Sequence, residues 1–226
     1  MIMTRRRAHR VLFDDLVLQI DPRKVDWYAS PPLDALHIKT KALHSHKLGR
    51  VLSMIIRAPY ELLVYPGNWD LHGHHFTEHR TYTKMLDLYQ HRDNFRESKL
   101  YQHALEVLQE QGSFNHKSHV AHTVEELDEL FEKVYMELIR SMEQHGYIRE
   151  RSADLCRVMI SRDGKLMKTQ RGKHRFSTAH IVGAPVVPVL VFRIHRKWLK
   201  QVDGGFRGRK LDNLRAALRE LESRYS

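Results

Sequence analysis

Gly172-Lys173-His174-Arg175 sets one residue without a side chain directly before three potential cations, with Arg171 in front of it. Glycine lets a backbone approach a ligand closely, a helix start offers N–H groups with no intrahelical partner, and Lys and Arg supply charge. That combination can hold an anion. The apolar segment Phe176 to Val182 beyond it can be helical, which would put Ser177 in its first turn. Phosphate chemistry would also need a carboxylate as base or metal ligand. Asp70, in the turn Pro66-Gly67-Asn68-Trp69-Asp70, is the first candidate, followed by Glu150 and Asp154 just before a strand. The structural alternative for this turn is that Trp69 plugs the core and Asp70 caps the next segment.

Two further stretches carry chemistry. His72, His74, His75, Glu78 and His79 could ligate a metal, with His75 and His79 one helical turn apart, but they match no recognised metal spacing. Arg193, Arg196, Lys197, Lys200, Arg207, Arg209 and Lys210 are interrupted by Trp198, Phe206 and Gly204-Gly205, with Asp203 the one acid among them. Basic residues interleaved with aromatics suit nucleic acid through phosphate neutralisation and base stacking. A solvated loop before the last helix is the alternative.

Several elements must position these residues. Val158 to Lys168 reads as a hairpin turned at Asp163-Gly164, and Val186 to Phe192 as a buried strand in which Pro188 suggests an edge or an irregular start. Thr123-Val-Glu-Glu126 matches a capping box, and Leu127, Leu130, Val134, Leu138 and Met142 continue one apolar stripe to His145-Gly146. That helix is expected to pack on the sheet. Thr81 to Tyr89, Leu100 to Gln111 and a final helix marked by Leu211, Leu214, Leu218 and Leu221 complete the helices. Leu16 to Ile20 reads as a strand ended by Asp21-Pro22, and Trp27 to Leu36 as a loop. Lys39 to Gly49 reads as a solvated segment, while Val51 to Ile56 and Tyr60 to Tyr65 are runs of strand length. Residues 1–15 read as a basic arm, a flexible terminus.

The 226 residues carry a formal net charge of +11, which favours anionic partners: nucleic acid, nucleotides or other phosphates. The one cysteine, Cys156, excludes an internal disulfide framework and reads as a buried reduced thiol. No apolar run approaches the roughly 20 residues that span a bilayer, so a cytoplasmic protein without membrane contact is expected. Charge and composition leave the oligomeric state open.

The order of a helix, His145-Gly146-Tyr147, a strand, Arg162-Asp163-Gly164, a strand, Gly172-Lys173-His174-Arg175, a small helix and Val187-Pro188-Val189 resembles the domain shared by ParB partition proteins and sulfiredoxin. The likeness covers about residues 123–196. It implies an α+β fold, a small mixed sheet with packed helices, here behind an N-terminal α/β extension (16–122) and before a basic segment and C-terminal helix (197–226). It also implies that Gly172 to Arg175, with Arg171 and Ser177, hold the phosphates of ATP or another nucleotide with Mg²⁺. In sulfiredoxin a catalytic cysteine lies inside the glycine motif; Lys173 stands there in this chain, so sulfinic acid reduction is not expected. Two functions follow as expectations. One is a nucleotide-dependent phosphotransferase or nucleotide hydrolase acting on an unknown acceptor, with His174 and a carboxylate (Asp70 or Glu150) catalytic and Asp70 and Asp154 on the metal. The other is a DNA- or RNA-binding or nuclease-like protein in which residues 193–210 extend the track of the same loop.

Overall fold

The structure, a computed structural model, describes residues 3–12, 14–30, 61–116, 119–149 and 154–226. Its strands are β1 (Val17–Ile20), β2 (Trp27–Tyr28), β3 (Val64–Tyr65), β4 (His74–His75), β5 (Phe114–His116), β6 (His119–Ala121), β7 (Cys156–Ile160), β8 (Leu166–Lys168) and β9 (Val187–His195). The helices are α1 (Arg5–Leu12), α2 (Arg80–Gln90), α3 (Lys99–Gln111), α4 (Val124–Phe131), α5 (Glu137–His145), α6 (Lys173–Val182), α7 (Arg196–Gln201) and α8 (Gly208–Tyr225). The result is a mixed α and β architecture. Among the described residues no helix is long and apolar enough to cross a membrane.

The strand β9 is the axis of the main sheet, whose order is β1-β9-β7-β8-β2-β4 with β3 also on β9. The first half of β9 pairs antiparallel with β1, from Ile20↔Val187 to Val17↔Leu190, and its last residues pair parallel with β3. Its other side pairs parallel with β7, from Cys156↔Val189 to Ile160↔Ile194. Pro188 therefore sits near the start of an interior strand, not on an edge. Its missing N–H costs β1 nothing, because the opposite residue, Gln19, donates its N–H to Glu222 Oε1 at 2.6 Å and accepts at its carbonyl from Ser226 Oγ at 3.0 Å.

One face of the sheet packs Leu18, Ile20, Val158, Ile160, Val189 and Val191 against Phe176 of α6 and against Leu214, Leu218 and Leu221 of α8. Each buried leucine of α8 contributes about 1.5–3 kcal/mol. The N-terminal segment belongs to this core as well. Instead of a flexible arm, Arg5–Leu12 is a helix whose Ala8 and Leu12 are buried. The sheet also draws β1 to β4 from the 16–122 segment and β7 to β9 from 123–196, so the boundary at residue 122 does not separate two sheets. Trp27 and Tyr28 form a strand where the sequence suggests a loop; the readings of 39–49 and 51–56, and the start of the run from Tyr60, lie outside the described residues.

A second core joins α2 to α5 through Met85, Leu88, Tyr101, Leu108, Leu127, Phe131, Tyr135 and Ile139. The Thr123 cap is present, its side chain accepting from Glu126 N, while Glu126 reaches back to the N–H of His122 rather than of Thr123. Between α4 and α5 the chain winds through a π-helical stretch, Glu132–Met136. The extra residue shifts the phase, so that Tyr135, Met136 and Ile139 are buried where the apolar stripe points to Val134 and Leu138. This helix packs on α2, α3 and α6; only Met142 and Leu138, near its end, join the core beneath the sheet.

Candidate functional site

The parallel pairing of β9 with β7 and with β3 gives the sheet two distinct ends. At one, the chain leaves β7 at Ser161, β9 at His195 and β3 at Tyr65. At the other lie Cys156, the end of β8 at Lys168, and Tyr28 opposite it on β2. Roughly 13 Å of strand separates Cys156 from Ile160, so residues gathered at one end do not reach the other.

The glycine loop occupies the Cys156 end. After Lys168 the backbone stays beside β7, Thr169 N donating to Arg157 O at 3.2 Å and Arg157 N to Arg171 O at 3.3 Å. Gly172 then turns the chain with φ +74° and lies directly on Cys156: an added Cβ would come within 2.7 Å of Sγ and 2.9 Å of Cα. Only glycine fits that seat. The thiol, buried as expected, donates to Gly172 O at 3.4 Å, and α6 starts at the next residue with no side-chain cap and no acid in its first turn.

Around this helix start the charge is almost all positive. Arg171 pairs with Asp154, Lys173 Nζ donates to Gln170 Oε1 at 3.1 Å, and Arg175 Nη1 donates to Tyr147 OH at 3.2 Å. Among the described residues no carboxylate pairs with Lys173 or Arg175. The His174 ring lies 6.1 Å from Tyr135. Beneath the loop Lys168 is fully buried, its ammonium donating to the carbonyls of Arg157 (3.2 Å), Arg171 (2.6 Å) and Thr169. Burial, reinforced by Lys173, Arg175 and Arg157, pushes that ammonium down to about 7. Cations at the positive end of a helix repel both the helix dipole and one another, an arrangement that a bound anion relieves.

Sequence reasoning missed three neighbours of the loop. Lys168 reads as an ordinary hairpin residue. His79, grouped by sequence with its neighbours as a metal candidate, packs its ring 4.3 Å from Tyr28 and 5.7 Å from His74, and Lys173 Nζ lies 5.9 Å from the Tyr28 ring. Burial first, then Lys173, His74 and Lys168, push the His79 imidazole down to about 4. Its Nδ1 accepts from Thr81 N at 3.0 Å, so the neutral ring carries its proton on Nε2 and is a donor. Glu137 lines a cavity of about 200 Å³ together with Lys133, Tyr147 and Arg175. Among the described residues no group of three or more His, Cys, Asp or Glu gathers as a metal site.

Other expected site residues fall elsewhere. Asp70 is at the opposite end of β7 and is fully engaged: Oδ2 accepts from Arg162 N (2.9 Å) and Nε (2.8 Å), and Oδ1 from Nη2 (2.8 Å). Burial pushes its carboxyl up, but the hydrogen bonds from Arg162 outweigh this and hold it below the usual carboxylate range. His195 beside it donates from Nε2 to Gly67 O at 2.9 Å and accepts at Nδ1 from Lys197 N at 3.0 Å. Asp70 therefore clamps the 66–72 turn to the β7–β8 hairpin and is neither base nor metal ligand for the loop. Ser177 is 0% exposed and faces the core rather than a ligand. Glu150 lies outside the described residues; Asp154 is near the loop, in its pair with Arg171.

The basic segment also divides. Arg193 is 0% exposed, its guanidinium 4.9 Å from the Tyr65 ring centre, because a bulge opposite Val158/Met159 inserts Phe192 and turns Arg193 to the Met159 side of the sheet. It cannot meet a nucleic acid. Arg196, Lys197, Lys200, Arg207 and Arg209 are exposed at the end of β9 remote from the glycine loop, so they do not extend its track. Comparison of the chain with protein-family models, curated proteins and solved structures finds no match in any of the three.

Proposed function

We propose that this protein binds the phosphates of a nucleotide at Gly172 to Arg175, on a fold of the ParB/sulfiredoxin type, as a nucleotide-dependent phosphotransferase or nucleotide hydrolase. The observation that carries the reading is the helix start at Lys173: its first turn holds cations and no acid, it follows a left-handed glycine, and a buried ammonium lies beneath it. Backbone N–H groups there would cradle the phosphates, and Lys173 and Arg175 would stabilise charge that develops during transfer. His79 adds a neutral donor on the Tyr28 side. Of the described carboxylates, Asp154 and Glu137 fit the part that Asp70 is too distant to play. Mg²⁺ is commonly held by one or two carboxylates and the nucleotide's own oxygens, which fits so sparse a set.

A thermal-shift screen with ATP, ADP, CTP and GTP, with and without Mg²⁺, tests this directly, because a ligand that binds the folded state raises its melting temperature. Lys173→Ala with Arg175→Ala should abolish the shift while leaving the unliganded melting temperature within a few degrees. Glu137→Gln should retain binding and lose turnover. A full shift in the double variant would refute the site.

A specific observation also favours a second reading. Arg196, Lys197, Lys200, Arg207 and Arg209 are exposed and, among the described residues, paired with no carboxylate. That end of the sheet suits a nucleic-acid backbone, independently of the loop.

A further inference from the structure

The Lys168 side chain is buried under the loop, and its ammonium finds one acceptor for each of its three protons: the carbonyls of Arg157, Thr169 and Arg171. Two of these belong to the loop and one to the strand beneath it. Turning the carbonyls of Thr169 and Arg171 inward onto Lys168 fixes the peptide planes that lead into Gly172 and α6, and so the direction in which the first N–H groups of the helix point. A buried lysine is costly, and an apolar side chain would fill the same space at lower cost. A methylene chain could donate to none of these three carbonyls.

We propose that Lys168 is the positioning residue of the anion site, holding the 169–172 turn in its receiving shape through its three carbonyl contacts and carrying a proton that anion binding retains. The proposal rests on the reading of the loop as a phosphate site. The groups that face the ammonium are Cys156 and Arg157 of β7, Lys173, Arg175 and the Phe176 ring (5.5 Å) of α6, and His79 before α2, with Tyr28 opposite on β2. Lys173, Arg175 and Arg157 are cations that disfavour the ammonium, and Cys156 acts in the opposite sense and favours it. Among the described residues no carboxylate faces the ammonium, so burial and the three cations favour loss of its proton above neutrality until an anion arrives. Deprotonation leaves two N–H donors for three carbonyls, so one of the three loses its contact with Lys168; Arg157 O and Arg171 O keep backbone donors, and Thr169 O depends most on the ammonium. An anion on the far side of the loop raises the proton affinity of Lys168 and, by linkage, binds more tightly where Lys168 is already charged. No bond is made or broken in the ligand; one proton moves from solvent to Nζ as the anion binds.

The test uses the full chain and inorganic tripolyphosphate, which has phosphates and no base. Hydrogen exchange of the unliganded protein is compared at about pH 6 and about pH 9 after correction for intrinsic rates. Protection of the amides of Thr169 and Phe176, which donate to Arg157 O and Gly172 O, should fall about tenfold in the wild type as the pH rises, and should already be low at about pH 6 in Lys168→Met, roughly the loss of one hydrogen bond. Amides of β7 and β9 should be unchanged in both. Calorimetry near pH 7.5 in buffers of different ionisation enthalpy should show uptake of about half a proton or more by the wild type beyond that of Lys168→Met, whose affinity falls about tenfold or more. If Lys168→Met does not fold, the wild-type exchange and proton-uptake results decide alone. Loop protection that ignores both pH and the substitution would overturn the positioning role, whatever the binding data show. Failure of tripolyphosphate to bind the wild type, with exchange behaving as expected, would instead overturn the phosphate reading and the proton coupling together.

Discussion

Gly172→Ala isolates the seat of the loop. At φ +74° an L-residue pays about 1 kcal/mol for the left-handed conformation. The new methyl would also come within 2.7 Å of Cys156 Sγ and 2.9 Å of its Cα. The sulfur can turn away, but the Cα belongs to a strand paired on both sides, so relief must come from the loop or the sheet, at about 1–3 kcal/mol. The expected total is about 2–4 kcal/mol in urea unfolding. Gly112→Ala supplies the control, because its φ is +70° and nothing lies within 4 Å of the added methyl; it should cost about 1 kcal/mol. Adding Cys156→Ala to Gly172→Ala should recover only part of the difference, since the clash with the strand backbone persists. Equal costs for Gly172→Ala and Gly112→Ala would refute the close approach of loop and strand from which the site is argued.

Asp70→Asn should destabilise by about 1–3 kcal/mol, because the carboxylate, 2% exposed, gives up charge-assisted hydrogen bonds from Arg162 N, Nε and Nη2. The lowered Asp70 carboxyl contributes stability above its ordinary value of 3.8 that is lost as pH falls through that range, so acid unfolding of the variant should show a shallower dependence there. If nucleotide binding also vanished in this variant while the fold survived, the assignment of Asp70 to structure would be wrong. For Lys168 the sign is opposite to that of a paired lysine: its folded value, about 7 against an ordinary 10.5, means that the unfolded chain binds more protons between those limits, so stability rises with pH there. Between about pH 6 and 9 this one group adds about 2–3 kcal/mol to the wild type and nothing to Lys168→Met. Identical slopes in the two proteins would contradict its burial as a charge. At the other end of the sheet, Arg196→Glu with Lys200→Glu should remove most salt-dependent binding to a short DNA or RNA measured by anisotropy, while Lys173→Ala with Arg175→Ala should not; the reverse would return nucleic acid to the loop.

Local signals in the sequence carry the elements but not their arrangement. Thr123 with Glu126 marks a helix start, Gly164 a hairpin and Gly172 the start of α6, because each reflects the chemistry of a few adjacent residues. Asp70 cannot be placed that way. Whether it meets the glycine loop depends on which end of the sheet each turn occupies, and that follows from the parallel pairing of β9 with β7 and β3. Arg193 misleads for a related reason: a single bulge reverses which face a residue takes, and nothing in the local pattern marks it. The π-helical stretch has the same effect on the long stripe. Lys168 carries no signal at all, since a lysine ending a short strand is ordinarily solvated; its burial comes from β2, β7 and α6 closing over it.

The central claim is that the first turn of α6 is where phosphate binds, and amide chemical shifts during a titration with ATP and Mg²⁺ read it most directly. The account predicts that the largest changes fall on the N–H groups of Gly172, Lys173, His174 and Arg175, with smaller ones at His79 and Tyr28. Changes centred on α7 and the start of α8, or none at saturating nucleotide, would contradict it.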